Sequence, residues 1–167
     1  YSIRPQTPKN YKDFLDKRVH LIEIKNFSAK GLTNLANDIK VIKELRDIEK
    51  RVQPDIIHLH SSIAGGIGRI AFKGRNNIVV YTPHGYAHIL MGNGLKCKMY
   101  GVMEAILGKI SNAITLTCCE SEDKVAKGLT KRTAYIETGV NIADLSASLD
   151  GIEPVKSERF TVFTLGR

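Results

Sequence analysis

The chain has 167 residues, 43% of them apolar and 25% charged, which suits one packed domain and excludes both two full domains and a disordered chain. Its formal net charge of +8 and pI of about 9.4 draw phosphorylated ligands, nucleic acid or an anionic membrane face as partners. No apolar run reaches the roughly 20 residues that span a bilayer, and no secretory-signal pattern stands at the start.

Tyr1-Ser2-Ile3 reads as the tail of a strand, so the sequence is expected to be a fragment. Val19 to Ile24 reads as a strand. From Thr33 to Gln53, Leu35, Ile39, Ile42, Leu45, Ile48 and Val52 recur at steps of three and four, which predicts a long amphipathic helix closed by Pro54. Asp55 to His60 is the next strand, a nearly continuous apolar run of the kind found in parallel sheets covered on both faces. Ser61 and Ser62 are placed to cap a helix over Ala64 to Lys73. Asn77 to Thr82 predicts a buried strand, broken by Pro83-His84-Gly85. The segment Tyr86 to Lys98 reads as a mobile loop, overlapping the start of a helix over Leu95 to Ile110 with Tyr100, Met103, Ile106, Leu107 and Ile110 on one side. Ala113 to Thr117 is a strand, Glu120 to Leu129 a helix, and Thr133 to Glu137 a strand turned at Gly139. This alternation predicts an α/β, Rossmann-like, doubly wound parallel sheet. Residues 1–141 form that domain, 142–158 read as a linker, and 159–167 as the first strand of another domain.

The three cysteines, Cys97, Cys118 and Cys119, form no C-x-x-C pair, which fits a reduced compartment. No metal site is evident, since His58 and His60 lack a second ligand pair. Between Ser61 and Asn112 the charged residues are Arg69, Lys73, Arg75, Lys96, Lys98 and Lys109 against one acid, Glu104. A solvated basic surface and an anion-binding face both fit this excess. Nucleic acid does not, because aromatic platforms and recognition motifs are lacking.

In doubly wound sheets ligands bind where strands end. Gly66-Ile67-Gly68-Arg69-Ile70-Ala71 matches a dinucleotide fingerprint, but the following strand ends without the acid that would hold a ribose. Close helix–sheet packing is the better account of those glycines. His84, between a proline that stops a strand and a glycine that frees a turn, is the leading candidate for chemistry. His58 reads as a core histidine, and His60 as facing the cleft. Candidate cleft-edge or acceptor residues are His60, Ser61, Tyr86, Lys96, Lys98 and Glu120, with no convincing carboxylate pair for general acid–base work.

Five fragments then line up in order: Pro54-Asp55-Ile56-Ile57-His58-Leu59-His60-Ser61-Ser62, Val80-Tyr81-Thr82-Pro83-His84-Gly85, Ala113-Ile114-Thr115-Leu116-Thr117 with Glu120-Ser121-Glu122, Glu137-Thr138-Gly139-Val140-Asn141, and Thr164-Leu165-Gly166-Arg167. The series resembles the amino-terminal half of the family 4 glycosyltransferases, retaining and metal-independent enzymes of the GT-B fold that use nucleotide sugars. The resemblance implies an acceptor-side domain facing a donor-binding one. It also implies that His84 reaches the donor sugar, with Gly85 beside it, and that Arg167 contacts the donor diphosphate. No cofactor or metal is implied beyond the nucleotide-sugar donor. The partners implied are that donor and a glycan or lipid-linked acceptor; the net charge and the lysine-bearing segment Tyr86 to Lys98 add an anionic membrane surface as a further candidate. The implied role is cell-surface polysaccharide or glycolipid synthesis in the cytoplasm or at the inner face of the membrane. The chain departs from the family pattern at Cys118-Cys119, where many members carry a serine. The family's first strand and Gly-rich loop would precede Tyr1, and the second domain's lysine and glutamates would follow Arg167. A nucleotide-sugar epimerase of the same fold and a non-catalytic binding module stand as alternatives.

Overall fold

A computed structural model of the chain describes residues 7–27, 35–90, 94–139, 141–143, 146 and 150–151. Packing divides the chain into Tyr1–Glu137 and Thr138–Arg167. The expected strand tail at Tyr1-Ser2-Ile3 and the expected strand 159–167 lie outside the described residues, as does most of the linker 142–158.

Among the described residues the first unit is built on four parallel strands in sequential order: β1 (Ile56–His60), β2 (Ile78–Thr82), β3 (Ile114–Thr117) and β4 (Thr133–Tyr135). Between them run α2 (Ser62–Ala71), the short α3 (Ala87–Leu90), α4 (Leu95–Ile110) and α5 (Glu120–Leu129), and α1 (Leu35–Val52) precedes β1. This is the α/β, Rossmann-like architecture that the alternation of apolar runs and helical periods predicts.

Register explains where the core sits. Leu59 stands opposite Tyr81, and Tyr81 opposite Thr115, so these side chains share a face. Leu59, Val79 and Tyr81 are buried there with Ala71 and Phe72 of the α2 end and Ala113, and Ile42 and Leu45 of α1 pack on the same cluster. Right-handed crossovers between sequential parallel strands place α2, α4 and α5 on one face. The opposite face carries Ile56, His58, His60 and Ile78, all exposed among the described residues. The glycines of α2 let it approach: a Cβ on Gly65 would strike the Tyr81 ring, and one on Gly68 would strike Leu59. Close packing therefore accounts for Gly68 of the apparent dinucleotide fingerprint and for Gly65 just before it, whereas Gly66 has room for a side chain.

The structure departs from the sequence reading at several points. Val19 to Ile24 joins no ladder among the described residues. That segment is tied to α1 instead, where the Glu44 carboxylate accepts from the Lys25 and Asn26 main chains at 2.9 and 3.4 Å. With β1 and α1 it lines an apolar cavity of about 830 Å³. On α1 the middle of the expected stripe, Ile42 and Leu45, packs on the core beside Val41, which is fully buried, while Ile39 and Val52 toward the ends are largely exposed. On α4 the inward residues are Glu104 and Leu107, and Ile106 and Ile110 face outward. Ser61 is the N-cap residue of α2, yet its side chain makes no capping bond. Tyr86 to Lys98 is not a continuous loop, because α3 and the first turn of α4 occupy most of it.

A buried ion pair anchors β2 to its helices. Arg69 Nη2 donates to Glu104 Oε2 at 2.7 Å, Tyr81 Oη donates to Glu104 Oε1 at 2.8 Å, and the guanidinium lies 4.2 Å from the Tyr81 ring centroid. Burial and the nearby Glu104 charge push the Tyr81 hydroxyl far above its ordinary range. The lone acid of the basic stretch is thus turned inward, and Arg69 is structural rather than part of a surface field. Arg75 is likewise paired, with Glu49 of α1.

Candidate active site at the carboxyl edge of the sheet

The site grows from the ends of β1, β2 and β3. β2 ends on Thr82 and Pro83, both buried, and the chain then turns sharply. His84 has φ +53° and Gly85 φ +93°, two consecutive left-handed residues. Glycine takes this region freely, whereas a histidine there carries about 1–2 kcal/mol of backbone strain. A strained turn persists where its surroundings over-determine it.

What holds this turn is Glu122, in the first turn of α5. One carboxylate oxygen accepts the Gly85 N–H at 2.7 Å and the other accepts the Cys118 N–H at 3.0 Å. A single buried acid therefore clasps the loop after β2 to the loop after β3. The next residues are fixed as well: the Ala87 N–H donates to Ser62 Oγ at 3.3 Å, at the start of α2. Beside Glu122, Asp123 accepts from Thr117 Oγ1 at 3.2 Å and pairs with Lys127 at 2.7 Å. The Lys127 and Thr117 hydrogen bonds hold the Asp123 carboxyl below the usual carboxylate range.

Three imidazoles line the edge. His60 Nδ1 and His84 Nε2 are 2.9 Å apart, with rings stacked at 5.2 Å and 15°. The His58 ring lies 4.0 Å from that of His60, tilted by 36°, and its Nε2 lies 2.8 Å from Thr82 Oγ1. The His60–His84 contact needs one nitrogen as donor and the other as acceptor, so the tautomers of the two rings are coupled. Burial and the neighbouring imidazoles lower the pKa values of His58 and His60 below 6.5, favouring neutral rings at neutral pH. A neutral His60 that donates from Nδ1 leaves His84 with its proton on Nδ1, free to donate to a ligand hydroxyl.

Of the residues picked from sequence, the structure brings His60, Ser61, His84 and Gly85 together. The Ser61 N–H donates to the Thr82 carbonyl at 3.0 Å, which joins the ends of β1 and β2. Tyr86 is not at an edge; it is 2% exposed and packs beneath the turn, its hydroxyl pushed up in pKa by burial. Glu120 points to solvent and pairs with Lys124 at 2.8 Å. Lys98 is exposed on α4, and Lys96 lies in the first turn of that helix. Arg167 lies outside the described residues. His58 is not a core histidine: alternation along β1 puts it with His60 on the exposed face, opposite the buried Leu59. Glu122 was missed. Its signal is a glutamate at the third helical position, where a carboxylate reaches back to main-chain donors at the helix start.

Residues 4–144 match the model of Glycosyltransferase Family 4. A curated relative from Klebsiella pneumoniae, described as an uncharacterized 41.2 kDa protein in the cps region, is 32% identical over 124 residues, covering 68% of this chain and 35% of that protein. The chain thus spans about a third of that relative's length. Among solved structures, sucrose-phosphate synthase from Thermosynechococcus elongatus superposes with a TM-score of 0.57 at 13% identity, over 77% of this chain and 36% of that one. At that identity the likeness is one of fold. With that family model matching most of its length, this chain belongs to the family 4 glycosyltransferases.

Proposed function

We propose that this chain is the acceptor-side domain of a retaining, metal-independent glycosyltransferase that moves a sugar from a nucleoside diphosphate to an acceptor hydroxyl. The observation that carries the reading is His84, held in a left-handed turn by the Glu122 clasp and backed by His60 at 2.9 Å. An imidazole fixed in that way presents one ring nitrogen to a hydroxyl of the donor sugar, and a preorganised donor loses little on meeting its ligand. Arg167, by its place in the family pattern, would neutralise charge on the leaving diphosphate. A relative whose name places it in a cps region supports polysaccharide synthesis as the setting. On this reading the acceptor is a glycan or a lipid-linked sugar in the cytoplasm.

The test uses the longer protein to which, on this reading, the chain belongs. It is incubated with a panel of nucleotide sugars and a lipid or glycan extract, with and without EDTA, and free nucleoside diphosphate is measured. Acceptor-dependent release from one donor is expected, insensitive to EDTA, and reduced about a hundredfold or more by His84→Ala. Product NMR reports the anomeric configuration and so checks retention. Absence of release with every donor, or a variant equal to wild type, transfers the reading to an epimerase or a binding module.

A further inference from the structure

The His84 turn has two tethers, and they act on different atoms. The Glu122 clasp fixes the main chain through the Gly85 N–H. The ring is held elsewhere: among the described residues its one hydrogen-bond partner is His60, whose Nδ1 lies 2.9 Å from His84 Nε2. His58 does not take that place, because its own Nε2 is spent on Thr82 Oγ1 at 2.8 Å. It serves as a flank, with its ring 4.0 Å from that of His60. Strand register fixes the His60 main chain in turn, since His60 stands opposite Thr82 in the ladder between β1 and β2. His60 and His84 are both exposed, so the pair is open to a ligand. With Nε2 occupied, Nδ1 is the one ring nitrogen that His84 has left to offer.

We infer that His60 is a positioning residue: by donating from Nδ1 it keeps the His84 proton on Nδ1, the nitrogen left for a ligand oxygen. One proton lies between the two neutral rings, so two arrangements exist. In the first, His60 donates and His84 carries its own proton on Nδ1. In the second, His84 donates back from Nε2 and turns a bare lone pair on Nδ1 outward. A ligand oxygen that accepts a hydrogen bond is met by the first arrangement and faces a lone pair in the second. Burial and the neighbouring imidazoles keep His60 neutral near neutral pH, so the pair works by the place of a proton and not by added charge. The kinetic consequence rests on the transfer reading above; the place of the proton does not.

In the test, the longer protein is isotopically labelled on its histidine nitrogens, and long-range proton–nitrogen NMR spectra above neutral pH report which nitrogen of each ring is protonated. Signals are assigned by their loss in His58→Asn, His60→Ala and His84→Ala. In the wild type, His60 and His84 are expected to carry their protons on Nδ1. In His60→Ala the His84 proton redistributes between the two nitrogens, and kcat falls about three- to tenfold, in proportion to the rings left in the competent form. His60→Asn places an amide N–H where Nδ1 stood, and it keeps the His84 proton on Nδ1 and kcat within about twofold of wild type. His60→Asp, of the same size, offers only acceptors; it moves the His84 proton to Nε2 and approaches the loss given by His84→Ala. Because His60 is exposed, all three variants keep the wild-type circular dichroism spectrum. A wild-type His84 protonated on Nε2, a proton that stays on Nδ1 in His60→Ala, or a His60→Asn variant as slow as His60→Ala overturns the inference. If no nucleotide sugar is turned over while the His84 proton still follows the residue at position 60, the transfer reading falls and this one stands.

Discussion

Replacing Glu122 by alanine removes the clasp beneath His84. Its carboxylate, 7% exposed, accepts main-chain donors at 2.7 and 3.0 Å from two different loops. A hydrogen bond to a charged acceptor contributes about 1.5–3 kcal/mol. Gly85 and Cys118 are half-buried, so water recovers part of each loss and the lower end applies, about 3 kcal/mol for the two. Set against a total stability of about 5–15 kcal/mol, that is a large fraction. For a chain of this size it lowers Tm by roughly 6–12 °C. Glu122→Gln costs less, about 1–2 kcal/mol, because one amide oxygen still serves one donor while the amide NH₂ faces the other. Glu120→Ala, two residues earlier and 75% exposed, is the control and moves Tm by less than about 2 °C. Urea unfolding followed by circular dichroism reads all three. A Glu122→Ala variant as stable as wild type, or a Glu120→Ala variant that loses as much, refutes the clasp.

The glycines of α2 separate cleanly. Gly65→Ala and Gly68→Ala collide with Tyr81 and Leu59 and lose about 1–3 kcal/mol, whereas an added methyl at Gly66 meets Leu107 at an ordinary 3.8 Å and gains about 0.5–1 kcal/mol in chemical denaturation. Equal effects at the three positions would contradict the packing account. Glu104→Gln leaves Arg69 buried without its counter-charge and costs about 3–5 kcal/mol; adding Arg69→Met restores much of it, since the glutamine still accepts from Tyr81. Acidification destabilises the fold through His58 and His60. Their folded pKa values lie below 6.5, so the unfolded chain binds more protons, stability is full above pH 6.5, and it falls as pH drops toward the lowered values. Urea midpoints between pH 7.5 and 5 should show that slope, and His58→Asn should flatten it; a midpoint that rises on acidification would reverse the sign.

The sequence is most legible where local chemistry decides structure. Runs such as Ile78-Val79-Val80-Tyr81-Thr82 end at Pro83, and the amphipathic period from Leu95 to Ile110 is bounded by Gly94 and Ser111, so β2 and α4 are found at their edges. Pro83-His84-Gly85 likewise announces a turn that displays its histidine. What a linear pattern does not carry is the partner. Val19 to Ile24 has strand composition, but sheet membership requires a neighbouring ladder, and the main chain of that region bonds to Glu44. His58 looks internal because Ile57 and Leu59 flank it, yet alternation in a strand sends it to the opposite face from Leu59. Between Glu120 and Glu122 the helix turns by about 200°, so one carboxylate meets solvent and the other reaches the His84 turn. Tyr86 follows the same logic: its position after the turn suggests exposure, while the Ala87–Ser62 bond draws the chain inward over α2.

Because the strand order is the chain order, each ladder closes against the strand made just before it. A chain emerging from the ribosome can therefore lay down β1 to β3 in succession without waiting for a distant segment. The histidine edge does not mature on that schedule. His60 and His84 are synthesised early, but the acid that clasps their turn arrives only with α5. A nascent or truncated chain lacking α5 would thus possess most of the sheet and both histidines, with the turn held on the α2 side by Ala87 and Ser62 but without its Glu122 clasp.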